Sequence, residues 1–337
     1  MLDPPPERRA TQPAWRRALI AVRVFVTLGF LAALFFVFGL TPRRLASAIK
    51  DADGPELAVA FAVLSVLLVL LSLKWYLIAR GLDIRASFSS TTRLYLTSMV
   101  LNTVLPTAIG GDAYRVYFLA RDGDTSLKRS LASVVIERAT GFAGLLVLSA
   151  VAAPFYFLGP LPGIAAGLTI LVLFLLAYVL LRLPLLSHRG ETSGPWRRGW
   201  LPSRASTLYA IAVLSLVQQG LWVSAAAILG LAYDVSVPWS YWVLTVTALT
   251  LLTVLPVSLG GLGLREVGYA TLLAPLGVEA SRAAAIGLAF GFAPSLVALT
   301  GLMPFLLVRL RSRPAPSLPA RETRATPSEP TVTGIER

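Results

Sequence analysis

The sequence predicts an all-α integral membrane protein with about six full transmembrane helices, two broken or re-entrant helical hairpins and an inverted internal repeat. Three observations support this fold class: the composition, the long apolar segments and a motif that is written twice. Of the 337 residues, 56% are hydrophobic and 14% are charged, whereas soluble domains average about 25% charged residues. This composition excludes a soluble globular protein.

Long apolar segments account for the full transmembrane helices. A helix needs about 20 predominantly apolar residues to cross the hydrocarbon core of a bilayer. The sequence Ala-Ser-Ala at 46–48 is typical of a signal-peptide cleavage site, but the first apolar segment is too long, and Arg43 and Arg44 intervene. We therefore expect a retained helix there. We predict six full transmembrane helices, at about 19 to 40, 57 to 79, 139 to 158, 161 to 183, 206 to 232 and 283 to 308.

The two ends of the chain differ in composition from the apolar segments. Residues 1–18 form a basic tail, and residues 311–337 are rich in Pro, Arg, Ser, Thr and Glu. Neither end carries enough large apolar side chains to fold, so we expect both to be disordered. The membrane domain is then predicted at 19–310.

The repeated motif reads TVLPTAIGGDAYR at 103–115 and TVLPVSLGGLGLR at 253–265. Each copy lies inside a further apolar region, at about 92–120 and 239–275. Proline removes a backbone donor and clashes with the preceding turn, while paired glycines permit conformations that other residues resist. We therefore predict a helix break in each region, at Pro106 and Pro256.

Each broken region is either one interrupted spanning helix, which gives eight transmembrane segments, or a re-entrant hairpin. The re-entrant alternative places the Arg-rich loops 80–93, 121–130 and 184–204 on the cytoplasmic side with both termini, as the positive-inside rule favours. Three full helices then separate the two hairpins, so the second enters from the opposite face. Inverted repeats whose broken helices meet at the midplane are typical of transporters with alternating access.

The residues around the breaks indicate an anion site. A helix that begins at Gly110-Gly111 directs free N–H groups and the positive end of its dipole at the break. Arg115 follows one turn later, where a guanidinium is suited to bidentate phosphate contacts. We predict that a lipid head group is bound by Gly110, Gly111, Arg115, Arg138, Gly260, Gly261, Gly263 and Arg265.

Acidic residues accompany these arginines. Asp112, Glu137 and Glu266 are predicted to be charge partners or proton carriers, with Glu137-Arg138 at the start of a transmembrane helix. Together with Arg115, Arg138 and Arg265 they make six ionisable residues whose charges cancel. A charge at the bilayer centre costs about 2.5 to 3.5 kcal/mol. The alternative is therefore that they pair with one another and bind no ligand.

Other polar and small residues in the apolar runs have two explanations. Asn102 is a predicted polar lining residue, although it and Gln218-Gln219 also fit interhelical hydrogen bonds. The small residues at 283–285 with Gly287 and Gly291 indicate close helix packing.

Several functions are not expected. The chain has no Cys and one His, and it lacks a Gly-x-Ser-x-Gly elbow and a Walker loop. We therefore expect no metal, no cofactor and no enzyme activity. The net charge of +13 consists of arginine clusters beside apolar segments, which is typical of topology signals and anionic-lipid contacts and not of a nucleic-acid groove.

Taken as an ordered set, these motifs resemble the lysylphosphatidylglycerol synthase transmembrane-domain family, also called flippase-like membrane proteins. The resemblance covers about residues 15–310. It is carried by Asn102 with Gly110-Gly111 and Arg115, by Glu137-Arg138 with Gly141, and by Pro256 with Gly260-Gly261-Leu262-Gly263 and Arg265-Glu266.

The resemblance implies a multi-pass protein of a bacterial or archaeal cytoplasmic membrane that moves, or helps handle, a lipid with a polar head. Bifunctional members carry a soluble aminoacyl-transfer domain after the membrane part. This sequence has only a short tail after residue 310, so lysyl transfer is not expected.

Three hypotheses of function follow. The first is a flippase that moves a phospholipid or glycolipid with a phosphate-bearing head through a midplane site built by the two broken helices. The second is a non-transporting membrane subunit that docks a lipid-modifying enzyme or glycosyltransferase, which would use the arginine surface and not the buried charges. The third is a membrane enzyme that acts on lipid head groups, for which the sequence offers no catalytic motif.

Overall fold

The computed structural model describes residues 14–104, 110–182, 205–254 and 258–311, and all regular structure within these ranges is helical. A short 3-10 helix, Ala274–Leu276, follows the tenth helix. In chain order the α-helices are α1 (Ala14–Phe36), α2 (Pro42–Lys50), α3 (Gly54–Gly81), α4 (Phe88–Val104), α5 (Gly110–Asp122), α6 (Leu127–Leu158), α7 (Pro160–Arg182), α8 (Ala205–Ala232), α9 (Trp239–Val254), α10 (Leu264–Leu273) and α11 (Ala280–Arg311).

Each of the six predicted transmembrane segments falls on one long helix: α1, α3, α6, α7, α8 or α11. The described parts of α1 and α7 contain shorter apolar stretches, Val22–Phe36 and Pro160–Ile170. Among the described residues, four stretches are long and apolar enough to cross a membrane by length and composition: Gly54–Gly81, Leu127–Leu158, Ser206–Ala232 and Ala280–Phe305. The helices therefore fit an α-helical integral membrane protein.

Helix α6 begins earlier than predicted, and the short helix α2 was not predicted. Helix α6 begins at Leu127 and not near 139, because Ser126 caps it by accepting a hydrogen bond from the Arg129 N–H at 3.4 Å. The apolar pattern detected only the later part of this helix, so Glu137-Arg138 lies in the helix interior and not at its start. Helix α2 was not predicted, since its nine residues are too few to cross a bilayer and include Arg43, Arg44 and Lys50.

Helices α4 and α5 fold back on each other as an antiparallel hairpin. At the open end of the hairpin, where the start of α4 lies beside the end of α5, Arg93 Nη2 is 3.6 Å from Asp122 Oδ2. A continuous helix would hold these two residues about 43 Å apart, at about 1.5 Å per residue. At the closed end, where the end of α4 lies beside the start of α5, the Asn102 side chain accepts a hydrogen bond from the Gly111 N–H at 2.9 Å. The predicted break at Pro106 lies outside the described residues.

Helices α9 and α10 form a second hairpin. At its open end, the Tyr241 hydroxyl donates a hydrogen bond to the Leu272 carbonyl oxygen. Gly268 packs against the Leu249 side chain between the two helices. A turn leads into α10 with φ of 58°, 81° and 77° at Gly260, Gly261 and Gly263, which is the left-handed region that favours glycine. Pro256 lies outside the described residues.

The first hairpin contacts the N-terminal half of α6. The Ser130 hydroxyl donates to the Val116 carbonyl oxygen at 2.6 Å. Further along α6, Arg138 contacts Asp112. Helices α5 and α6 therefore run antiparallel where they pack together. As a result, the closed end of this hairpin points towards the middle of α6.

The second hairpin contacts the C-terminal half of α6. The rings of Tyr156 and Tyr241 lie 5.1 Å apart, and the hydroxyls of Ser149 and Thr247 lie 2.7 Å apart. Helix α9 therefore also runs antiparallel to the part of α6 that it contacts. This hairpin therefore points towards the middle of α6 from the opposite end.

The closed ends of the two hairpins approach each other. A Cβ atom on Gly260 would lie 3.5 Å from the Asn102 carbonyl oxygen. Helix α1 supports the second closed end, because the Thr27 hydroxyl accepts a hydrogen bond from the Leu259 N–H at 2.9 Å.

The chain divides into two units, Met1–Leu302 and Met303–Arg337. In the second unit the described residues, up to Arg311, are helical. In the first unit, α1 begins at Ala14, inside the tail predicted at 1–18. The remainder of both predicted tails, 1–13 and 312–337, lies outside the described residues.

Candidate functional site

A cavity of about 490 Å³ lies where the two hairpins meet α3, α6, α8 and α11. Apolar side chains such as Leu67, Phe142 and Phe290 form part of its lining. Its polar lining consists of Lys74, Asp112, Glu137, Arg138, Gln218, Gln219 and Arg265, together with hydroxyl-bearing residues of α4, α9 and α10. The cavity therefore brings together residues from both copies of the repeated motif.

Arg138 and Asp112 form a bidentate ion pair at one side of the cavity. Arg138 Nη2 lies 3.1 Å from Oδ1 and 3.0 Å from Oδ2 of Asp112, and Nε lies 3.2 Å from Oδ2. The side chain of Arg138 is 47% exposed. Both residues were predicted site residues, and the structure joins them across α5 and α6.

Arg115 lies behind the cavity lining. Its side chain is 1% exposed, and Nη2 lies 2.8 Å from Asp112 Oδ1 and 3.1 Å from Glu137 Oε2. The guanidinium carbon lies 4.7 Å from the centre of the Tyr95 ring and 5.0 Å from that of Trp75. These contacts engage Nη2 of the side chain predicted to bind a head group, as the ion-pair alternative expects, while Nε and Nη1 are buried without a hydrogen-bond partner in the described ranges.

Lys74 joins this cluster although the sequence analysis did not single it out. Its side chain is buried, and Nζ lies 3.9 Å from Glu137 Oε1. Nζ also donates to the Glu137 carbonyl oxygen at 3.3 Å and to the Ser215 hydroxyl at 3.5 Å. A single lysine in the middle of the apolar helix α3 was the available signal. The predicted set held three basic and three acidic residues, and Lys74 is a fourth basic one. The prediction that the charges of this set cancel therefore does not hold.

Arg265 is the half-buried cation of the second hairpin. No hydrogen bond or ion pair joins its guanidinium to the described part of the chain. The sequence gives the reason, because Leu262 occupies the position that Asp112 holds in the first copy. Arg265 thus lines the cavity without the partner that Arg115 has.

Glu266 caps its own helix. Its Oε2 atom accepts a hydrogen bond from the Gly263 N–H at 2.5 Å. The residue is buried and does not line the cavity. Its predicted role as a charge partner or proton carrier is therefore joined by a structural one, the start of α10.

The glycines of the two copies act differently. A Cβ atom on Gly111 would overlap the Ser98 carbonyl oxygen and lie 2.6 Å from Asn102 Oδ1. Gly111 is thus needed for the close approach of α4 and α5. The N–H of Gly111, which was predicted to face an anion, donates its hydrogen bond to Asn102 Oδ1. Gly110, Gly111, Gly260, Gly261 and Gly263 do not line the cavity, and neither does Asn102.

The adjacent glutamines of α8 have different partners. Gln219 Nε2 donates to the Gly141 carbonyl oxygen at 3.0 Å, as predicted for an interhelical bond. Gln218 is 1% exposed, and neither polar atom of its amide has a hydrogen-bond partner within the described ranges. The Gln218 side chain lines the cavity with its hydrogen-bonding capacity unused.

The electrostatic character of the cavity follows from these residues. Lys74, Arg138 and Arg265 contribute three positive charges, and Asp112 and Glu137 contribute two negative charges. The net balance is one positive charge, and within the described ranges the Arg265 guanidinium has no hydrogen bond or ion pair. This arrangement suits an anionic group, because guanidinium binds carboxylate and phosphate oxygens in pairs.

Known proteins resemble this chain over most of its length. The family model described as "Lysylphosphatidylglycerol synthase TM region" matches residues 19–301. Two relatives from Methanothermobacter thermautotrophicus, each called "UPF0104 membrane protein", are 26% identical over 141 residues and 29% identical over 136 residues. These matches cover 41% and 40% of this chain. They span 41% and 37% of the relatives, so the chain matches about two fifths of each relative's length.

The family resemblance drawn from the motifs is confirmed by this match. The long apolar helices and the membrane-protein relatives agree that the chain is a multi-pass helical membrane protein. The match includes both hairpins and every residue that lines the cavity. The chain belongs to the family of the lysylphosphatidylglycerol synthase TM region.

Proposed function

We propose that this protein is a lipid flippase that moves a lipid with a phosphate-bearing head group between the leaflets of a cytoplasmic membrane. The head group would pass through the cavity between the two hairpins. The observation that carries the proposal is Arg265, which lines the cavity and whose guanidinium makes no hydrogen bond or ion pair in the described ranges. A phosphate supplies the missing negative charge and accepts two parallel hydrogen bonds.

An arginine near the bilayer centre costs about 2.5 to 3.5 kcal/mol on insertion scales, so it usually has a partner or a function. Arg115, its counterpart in the first copy, is paired with Asp112 and Glu137. Arg265 has no such ion pair in the described ranges, and the cavity lining also includes Gln218, whose buried amide has no hydrogen-bond partner there. Both features are expected of a site that binds a passing anion.

The geometry of the hairpins supports transport between leaflets. Helix α5 has 13 residues and α10 has 10, which correspond to lengths of about 20 Å and 15 Å. Neither crosses a hydrocarbon core of about 30 Å, which favours re-entrant hairpins over spanning helices. The hairpins contact opposite ends of α6, and this supports an inverted arrangement in which the closed ends meet near the midplane, as in alternating-access transporters.

The docking-subunit hypothesis explains fewer of the observations. A membrane subunit that only holds another enzyme would need its surface arginines, but it would not need a charged cavity enclosed by both hairpins. The hypothesis of a head-group enzyme lacks a catalytic motif in the sequence. Without a Walker motif, movement of the lipid is expected to be passive or coupled to an ion gradient.

A transport assay in reconstituted vesicles tests the proposal. Wild-type protein is expected to speed the exposure of fluorescent phosphatidylglycerol to a membrane-impermeant quencher. Arg265→Gln removes the charge and keeps hydrogen-bonding capacity, and it is expected to slow exchange about 10- to 100-fold, the effect of losing a charged hydrogen bond. The matched control is Arg121→Gln at an exposed position outside the cavity, which is expected to transport at the wild-type rate. Wild-type vesicles no faster than empty ones with phospholipid, glycolipid and polyprenyl phosphate would refute the proposal.

A further inference from the structure

A second cavity, of about 620 Å³, is a groove on the outer face of α5 and α6. Its apolar walls include Ala113 and Tyr117 from α5 and Leu131 and Val135 from α6. These side chains are exposed. In a membrane protein, exposed apolar surface faces hydrocarbon, so the groove opens towards the acyl chains of the bilayer.

The groove ends at the ion pair that also borders the central cavity. Asp112, Arg138 and Phe142 line both spaces. Asp112 and Arg138 are the charged members of the groove lining, which is otherwise formed by apolar side chains and Tyr117. The pair therefore stands between a hydrocarbon-facing groove and a charged cavity.

The two ends of the groove match the two parts of one kind of molecule. The apolar walls suit a hydrocarbon chain, and the half-exposed guanidinium of Arg138 suits a phosphate. Asp112 presents two carboxylate oxygens to Arg138 at 3.0 to 3.2 Å. A phosphate presents the same arrangement of oxygens, so it can replace Asp112 as the partner of Arg138. Asp112 would keep Arg115 as a partner during this exchange.

We propose that the groove holds a hydrocarbon chain of the transported lipid, and that the Asp112–Arg138 pair is the point at which the lipid's phosphate passes from the bilayer into the cavity. This inference rests on the proposed function and adds the entry route and the place where the hydrocarbon chain is held. The ligand class is a phosphate carried on a long hydrocarbon chain, as in a glycerophospholipid or a polyprenyl phosphate.

Filling the groove tests the route. Ala139 lines the groove on α6 and is exposed, so Ala139→Trp places a large side chain there without disturbing the core. We expect this variant to slow lipid exchange at least about fivefold, by steric overlap with the chain. The matched control is Ala150→Trp, at an exposed position on the same helix that lies outside the groove. Equal rates for wild type and Ala139→Trp would overturn the proposal.

A photo-crosslinking experiment gives a second readout that does not need transport. Phosphatidylglycerol and a polyprenyl phosphate, each with a photoreactive group on the hydrocarbon chain, are incubated with the full-length protein in vesicles. We expect crosslinks to be enriched at Leu131 and Val135 over Leu146, an exposed residue of α6 outside the groove, and to be reduced in Arg138→Gln. Whichever probe shows this enrichment identifies the hydrocarbon source.

The two readouts separate failure of the groove from failure of the proposed function. One outcome is uniform crosslinking, with Ala139→Trp transporting at the wild-type rate and Arg265→Gln inactive. It would overturn the proposed role of the groove and leave the flippase proposal standing. Enriched crosslinking without transport by wild type would support the groove as a lipid site and overturn the flippase proposal.

Discussion

Gly291 of α11 lies directly against the Arg265 guanidinium of α10. A Cβ atom at position 291 would overlap Arg265 Nη1 and lie 3.2 Å from Cζ. One turn earlier, a Cβ on Gly287 would lie 3.1 Å from Glu266 Cα. The small residues predicted to allow helix packing therefore also make room for the cavity arginine.

The first prediction concerns this contact. Gly291→Ala is expected to displace the Arg265 guanidinium from its position and to slow lipid exchange about tenfold, close to the lower estimate for Arg265→Gln. The measurement is the vesicle exchange rate, with folding checked by elution as a single symmetric species in detergent. The control is Gly220→Ala, since a Cβ on Gly220 meets nothing within 4 Å. Wild-type transport by folded Gly291→Ala would show that the position of Arg265 is not required.

The second prediction uses the adjacent glutamines. Gln218→Leu removes a buried amide that has no partner in the described ranges, so thermal stability is expected to remain equal or to rise, while lipid exchange slows. Gln219→Leu removes the bond to the Gly141 carbonyl oxygen and is expected to cost about 1 kcal/mol of stability. Thermal unfolding in detergent and the exchange rate are measured for both variants. Transport unaffected by Gln218→Leu would exclude a role for this amide in binding.

The third prediction separates structural charges from exposed ones. Arg115→Gln leaves the buried Glu137 carboxylate with Lys74 as its ion-pair partner and the Tyr95 hydroxyl as a hydrogen-bond donor, and breaking a buried ion pair in this way costs about 3 to 5 kcal/mol. We expect a clear fall in the thermal unfolding midpoint. Arg282→Gln breaks an exposed pair with Asp234, which is worth at most about 1 kcal/mol. Equal midpoints for the two variants would contradict the structural role of Arg115.

Much of the fold could be predicted from the sequence because bilayer spanning requires long apolar runs. Proline and glycine marked the two interruptions for the same kind of reason, their effect on the helical backbone. The fold-back of each hairpin depends on contacts between distant residues, such as Arg93 with Asp122 and Tyr241 with Leu272. No local pattern encodes these contacts, so the sequence left the spanning alternative open.

The site was predicted less completely, for two physical reasons. Lys74 was missed because one lysine does little to the hydropathy of a 28-residue apolar helix, although a buried charge is informative by itself. Arg115 and Arg265 were given the same role because the motif repeats. Their different surroundings follow from the exchange of Asp112 for Leu262 between the copies, a difference visible in the sequence but interpretable only with the contacts.

The proposed transport site requires that the two hairpins enter from opposite sides of the membrane and meet. The native chain contains no cysteine, so single cysteines can be placed at exposed positions beside the open end of each hairpin. Lys128→Cys lies near the first open end, at the start of α6, and Ser236→Cys lies just before α9. Each variant is treated with a membrane-impermeant maleimide in intact cells and again after permeabilisation.

We expect Ser236→Cys to react in intact cells and Lys128→Cys to react only after permeabilisation. Reaction of both cysteines from the same side would contradict the inverted arrangement and, with it, the shared midplane site.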